Sequence, residues 1–210
     1  SPPGTILLVT IDTLRADHLP FAGYPRAVAP FLDGLARGGV VFTQAISASS
    51  HTAPSHASML TALYPSQHRL LENGAELDAG LVTAQELLRD GGYRTAAFTP
   101  VGFLDGLRQG FDHFQRGAVY APAGEMVDDV LAWLGGLPDG ERTFIWLHLY
   151  DVHEWYQDHH LDSEARSRLI QLAPADARLR AHLRTEHGLD AANYPLARDL
   201  HCYTWEDTSK

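Results

Sequence analysis

At 210 residues, 45% apolar and 20% charged, the chain has the size of one globular domain, or one and a half, and can bury a real core. Its formal net charge of −10 argues against non-specific binding to nucleic acid or to an anionic membrane, both of which need basic patches, while leaving room for a small anion at a local cation or helix terminus. Cys202 is the single cysteine, so no internal disulfide forms, and no apolar run approaches the ~18 residues of a transmembrane helix.

Ser1 opens the chain and a strand follows at once, so any signal peptide is already removed or was never included. The β-branched run TILLVTI over 5–11 predicts a strand buried on both faces, ending at Asp12. APFLDGLAR (29–37) carries apolar residues at helical spacing and stops at Gly38-Gly39, and VVFTQAI (40–46) reads as a second strand. Pro54, placed at a first helical position, predicts a helix over 54–63. LVTAQELLRD (81–90) is an amphipathic helix closed by Gly91-Gly92, and YRTAAFT (93–99) reads as a third strand. A helix over 124–137 runs through Met126, Val130, Leu131 and Leu134, and TFIWLHLY (143–150) is a fourth strand ending at Asp151.

Strands alternating with helices imply βαβ crossovers. The expected class is therefore α/β, with a largely parallel central sheet and helices on both faces. Residues 1–156 would form this unit. Residues 157–210 are charged and His-rich, helical in pattern to 187 and without clear period afterwards. They add no fifth apolar strand, so the sheet is expected to be incomplete within the chain.

Ligands of open α/β sheets bind beyond the carboxyl ends of the strands. Asp12, the 49–56 loop and Asp151-Val152-His153 all lie at such ends, so three polar clusters should converge on one edge. Asp12 reads either as an oxygen ligand for a hard divalent cation or as a turn or cap residue. Thr52 reads either as a helix cap or as a nucleophile. A nucleophile there needs a cation or base to activate the hydroxyl, helix amides to receive an anion, and a nearby acid. Ser55 begins the helix, and His56, one turn from the loop, could contact the anion or leaving group or be a satisfied surface imidazole. His153 could hydrogen-bond a substrate oxygen or bind metal. His148 lies within its strand and reads as a core histidine or one that supports the site from behind. Asp151 could orient His153 or cap the chain's exit.

Together and in order, these segments resemble the sulfatase family of the alkaline-phosphatase superfamily over roughly residues 5–156. ILLVTIDTLRADHL is similar to that family's opening strand, whose Asp binds the metal. APFLDGLARGGVVFTQA is similar to its next helix and strand, and TAPSHASMLTALYPSQH to its nucleophile segment. GYRTAAFT and QGFDHF resemble its following strand and loop. LYDVHEWY resembles its Asp-x-His-x-x-Tyr turn, whose His contacts the bound sulfo or phosphoryl group. The resemblance implies that Asp12 is a metal ligand, that Thr52 is the nucleophile and shares the metal, and that His153 contacts the substrate, with His56 and Ser55 beside it. It also implies a small anionic ester as substrate and a divalent cation. Ca²⁺ or Mg²⁺ would suit an oxygen-rich site, and Zn²⁺ or Mn²⁺ one joined by histidines. An extracytoplasmic location accords with the same resemblance, and no feature of the sequence sets an oligomeric state.

Several positions depart from the family pattern. Thr52, in Thr-Ala-Pro-Ser-His, stands where the family has the Cys or Ser that is oxidised to formylglycine. A secondary alcohol cannot give that aldehyde, so formylglycine is not expected. A direct threonine alkoxide is reasonable, as in related phosphodiesterase and phosphonate-hydrolysing members. Thr13 replaces the second Asp of the metal pair, and His56 replaces an Arg. TPVGF (99–103) stands where a segment carrying a catalytic Lys is usual. The family's downstream Asp-His-Gly or Asp-Asn ligands are missing too, since TEHG (185–188) follows no buried strand. The expectation is the N-terminal part of a metal-dependent sulfate-ester hydrolase. Phosphodiester or phosphonate hydrolysis is the first alternative, and a catalytically inactive binding module the second.

Overall fold

The structure is a computed structural model and describes residues 4–25 and 29–153. The expectations for 157–210, including Cys202 and TEHG, lie outside the described residues. Four strands are present among those described: β1 (Thr5–Ile11), β2 (Arg94–Thr99), β3 (His113–Arg116) and β4 (Thr143–Leu149). They form one sheet in the order β1-β4-β2-β3, and every pairing is parallel. The helices are α1 (Pro30–Gly38), α2 (Thr52–Thr61), α3 (Pro65–His68), α4 (Ala84–Asp90) and α5 (Ala123–Gly135), and a 3₁₀ segment spans Gly102–Leu107.

β4 lies between β1 and β2, which explains its unbroken apolar run. Alternation along the strands then sorts side chains between two cores. On one face Trp146 and Ala97 meet Ala53, Ala57 and Leu60 of α2, together with Leu104 and Leu107. On the other, Ala96, Phe98, Ile145 and Leu147 meet Met126 and Val130 of α5. Helices therefore cover both faces of an α/β parallel sheet, as the sequence pattern predicts. α4 is fixed by a reciprocal cap, in which the Thr83 hydroxyl accepts from the Glu86 amide and the Glu86 carboxylate accepts from Thr83.

Four sequence expectations need correction. VVFTQAI is not a strand: Val40, Phe42 and Ile46 are 79–91% exposed, in turn and irregular backbone. A strand needs a neighbour for its amides and carbonyls, and none of the described residues offers this segment one. β1 is half-buried on one face only, with Leu7 and Val9 turned out to solvent and its outer edge unpaired among the described residues. The helix expected from Pro54 starts at Thr52, which makes Pro54 its third residue. The end of QGFDHF (109–114), which the resemblance gives as loop, enters a short edge strand, His113–Arg116, paired with β2.

Candidate active site

Period-two alternation carries the chemistry to one place. Leu8, Thr10 and Asp12 share a face of β1, and the register sets Leu8 beside Trp146 and Thr10 beside His148. Asp12 prolongs the ladder by one bond, from its amide to the Leu149 carbonyl at 2.9 Å. Thr13 then turns the chain away with φ +52°, a left-handed conformation that is uncommon for a β-branched residue. The Asp12 side chain is 8% exposed, and its Oδ2 lies 3.4 Å from His148 Nε2. Neither of those two buried atoms has a hydrogen-bond partner.

Burial pushes the Asp12 carboxyl upward. The neighbouring His148, with His153 and the Thr52 hydroxyl, outweighs it and holds the group below the ordinary carboxylate range. Asp12 is thus ionised at neutral pH. His153 and Thr52 act on it directly, although they come from the turn after β4 and the first residue of α2.

Thr52 is carried by a helix of small residues. Ala53 and Ala57 are fully buried, so the N-terminus of α2 lies close against the sheet. The amides of this terminus are largely committed. Ala53 N–H donates to Asn73 Oδ1 at 2.9 Å, Pro54 has none, and Ser55 N–H donates to the His51 carbonyl at 3.0 Å. An incoming anion would therefore meet the Thr52 amide and the helix dipole rather than a full cradle. Sequence reasoning missed Asn73, because Asn73-Gly74 signals only a turn.

His56 is buried at 6% exposure, with its ring 5.3 Å from Trp146 and edge-on to His148 at 4.8 Å. Its Nδ1–H donates to the Thr52 carbonyl at 2.7 Å, which leaves Nε2 as a bare, buried lone pair without a hydrogen-bond partner. Burial, and then the neighbouring His148, push its pKa down to about 4. His56 therefore enters the core as a neutral ring tied to the Thr52 backbone. The Ser55 hydroxyl is turned to Ser47 Oγ at 2.8 Å, within a loop that Ser47 closes onto the Ser49 carbonyl. His153 stacks on Tyr150 at 4.3 Å, its amide bonded to the Tyr150 carbonyl at 3.0 Å. Asp151 caps α5 by accepting from Ala123 N–H at 2.9 Å.

Away from these residues, the hydroxyl–imidazole pair Ser58 Oγ with His68 Nε2 at 2.9 Å has the wrong polarity for a nucleophile and base. His68 Nδ1 accepts from Leu70 N–H, so Nε2 carries the proton and donates to Ser58.

Among the described residues no group of three His, Cys, Asp or Glu is placed to hold a metal ion. The orphaned Asp12 oxygen and the Thr52 hydroxyl nevertheless fit part of an oxygen-rich coordination sphere.

The family model for Sulfatase matches residues 4–192. The chain is 32% identical over 120 residues to the ulvan-active sulfatase of Formosa agariphila, covering 52% of this chain and 23% of that protein. It is 33% identical over 96 residues to the multifunctional alkaline phosphatase superfamily protein PehA of Trinickia caryophylli, covering 43% of this chain and 19% of that one. The chain thus spans less than a quarter of the length of these relatives. Its fold is shared with the phosphonate monoester hydrolase of Agrobacterium radiobacter at a TM-score of 0.60 and 21% identity, over 73% of this chain and 42% of that one. With an ionised carboxylate ending the first strand, an alcohol opening the helix packed beside it, and a sequence match running through both, the chain belongs to the sulfatase family of the alkaline-phosphatase superfamily.

Proposed function

We propose that the chain is the nucleophile-bearing part of a metal-dependent hydrolase of sulfate esters, with Thr52 as the attacking group. The support for this reading is the influence of the Thr52 hydroxyl and of His153, carried by two other segments, on the buried Asp12 carboxylate. Asp12 and Thr52 would hold the cation. A bound divalent ion lowers the pKa of a coordinated hydroxyl and offsets developing negative charge.

The chain's own residues supply the rest. Thr52 Oγ1 gives up its proton to solvent water and forms a bond to sulfur as the bond from sulfur to the ester oxygen breaks. The departing oxygen takes a proton from water, with His153 contacting the sulfo oxygens, and a second water attacks sulfur, releasing sulfate and returning a proton to Thr52 Oγ1. His56 holds the Thr52 carbonyl, and so the start of α2, through its Nδ1–H. Ser55 and Ser47 brace the loop ahead of it. Formylglycine chemistry is not invoked, because Thr52 is a secondary alcohol.

One observation favours a second reading. An unmodified threonine suits direct attack on phosphorus, which points to phosphodiesters or phosphonate esters. The test compares wild type, Thr52→Ala and Thr52→Ser on 4-nitrophenyl sulfate, bis(4-nitrophenyl) phosphate and a phenylphosphonate ester, with Ca²⁺, Mg²⁺, Mn²⁺ or Zn²⁺ supplied. Thr52→Ala should lose about 10³-fold or more in turnover with the fold intact, and Thr52→Ser should keep a measurable rate. A wild-type rate in Thr52→Ala would remove Thr52 from the mechanism. The ester turned over fastest separates sulfate from phosphorus chemistry, and a folded wild type inert to all three with every cation leaves the inactive binding module as the reading.

A further inference from the structure

We propose that His148 is a positioning residue for Asp12: a side-chain relay from Trp146 through Thr10 fixes the imidazole with its proton on Nε2, and that N–H holds the Asp12 carboxylate. The relay is read from donor and acceptor inventories. Trp146 Nε1 can only donate, and it lies 3.0 Å from Thr10 Oγ1, so Thr10 accepts there. The hydroxyl proton of Thr10 goes to His148 Nδ1, at 2.8 Å, since the reverse polarity would set a bare Nε2 lone pair against the Asp12 carboxylate. With Nδ1 accepting, the ring proton sits on Nε2, the nitrogen 3.4 Å from Asp12 Oδ2.

Both of those atoms are buried without a hydrogen-bond partner, so each answers the other's deficit on a small approach. The separation is longer than a closed hydrogen bond by a few tenths of an ångström. The ring itself is boxed in, with His56 at 4.8 Å, Tyr150 at 6.1 Å and Trp146 at 6.3 Å between centroids. The three relay members come from neighbouring strands in fixed register, Thr10 directly beside His148. A carboxylate held in this way binds a cation with less loss of rotamer freedom, and outer partners of ligating groups commonly matter to affinity.

The importance of the relay for cation binding rests on the reading of Asp12 given under Proposed function, while the relay itself is testable without any metal. In ¹⁵N-labelled, metal-free full chain, the His148 ring should show a bare Nδ1 and a protonated Nε2. Asp12→Asn should move the Nε2–H resonance, and Thr10→Val should shift proton occupancy toward Nδ1. A ring protonated on Nδ1 alone, or one indifferent to both substitutions, overturns the proposal.

Calorimetric titration with Ca²⁺, Mg²⁺ or Mn²⁺ alone gives the second arm. His148→Leu should weaken binding by about 10–100-fold, whereas His148→Gln, whose amide nitrogen reaches the place of Nε2, should stay within about threefold of wild type. Equal losses in both variants, or none in His148→Leu, overturn the positioning role. If wild type binds no cation, the cation reading fails by itself, and the ring resonances still decide the relay.

Discussion

The two flanks of β4 are built from similar apolar residues and meet opposite fates. Toward β2, Phe98, Ile145, Leu147 and Trp146 are sealed by α2 on one face and α5 on the other. Toward β1, Leu7 and Val9 look outward, and elsewhere Phe31, Leu35, Phe42 and Ile46 also stand exposed. Hydrophobicity supplies the drive to bury, but a neighbouring element must arrive to satisfy backbone as well as side chain. The candidate site sits on the seam between the two flanks, with Asp12 from β1 and His148 from β4.

The sharpest way to break this contrast is at its sealed side. Trp146 is fully buried between α2 and the sheet and donates to Thr10, so Trp146→Ala should destabilise the fold by about 3–5 kcal/mol in denaturant unfolding. A loss below 1 kcal/mol would mean that this flank is no better packed than the open one.

Acid should come next. His56 is buried neutral, and its pKa is lowered from 6.5 to about 4 by burial and then by His148. The unfolded chain therefore binds more protons between those values. Stability present above about pH 6.5 should be lost as the pH falls toward 4 and level off below it, by about 3 kcal/mol in all. His56→Gln should flatten that part of the pH–stability curve, and an unchanged slope would show that His56 is not the group responsible.

A smaller effect belongs to the cap of α4. Thr83→Ala removes a buried hydroxyl from the Thr83–Glu86 pair and should lower stability by about 1 kcal/mol, read as a drop in the unfolding midpoint. Smallest of all, Phe42→Ser, at a site exposed like Leu7 and Val9, should change stability by less than about 0.5 kcal/mol. A loss above 1 kcal/mol would show that something packs on Phe42 in solution, and the contrast between flanks would then need redrawing.

The strands at the centre were legible in the sequence, since TILLVTI, RTAAFT and TFIWLHL are long, β-rich and bounded by turn residues. Strand ends are where such a sheet gathers polar groups, and that rule pointed at Asp12, the loop before α2 and the Asp151-Val152-His153 turn. VVFTQAI misled because its composition suits a strand while its partner is absent from the described residues. His113–Arg116 escaped notice because HFQR carries no apolar run, although its pairing with β2 is joined by Phe114 on one core and His113 against Phe98 and Trp133. The Trp146–Thr10–His148 relay could not be read from spacing. It depends on β1 lying next to β4 with Thr10 opposite His148, a register that a sequence separation of 138 does not announce. Asn73 escaped for a similar reason, since its amide-accepting role on Ala53 appears only when the turn after α3 folds back.

The two alanines beneath α2, Ala53 and Ala57, have no exposed surface at all. Their methyl groups act as spacers of fixed thickness between helix and sheet, so the altitude of the Thr52 oxygen above β4 is set by the smallest side chains available rather than by the loop that leads to it. A single added methylene at either alanine would raise the helix like a shim and carry the alcohol away from Asp12, leaving every named chemical group present and the assembly out of true.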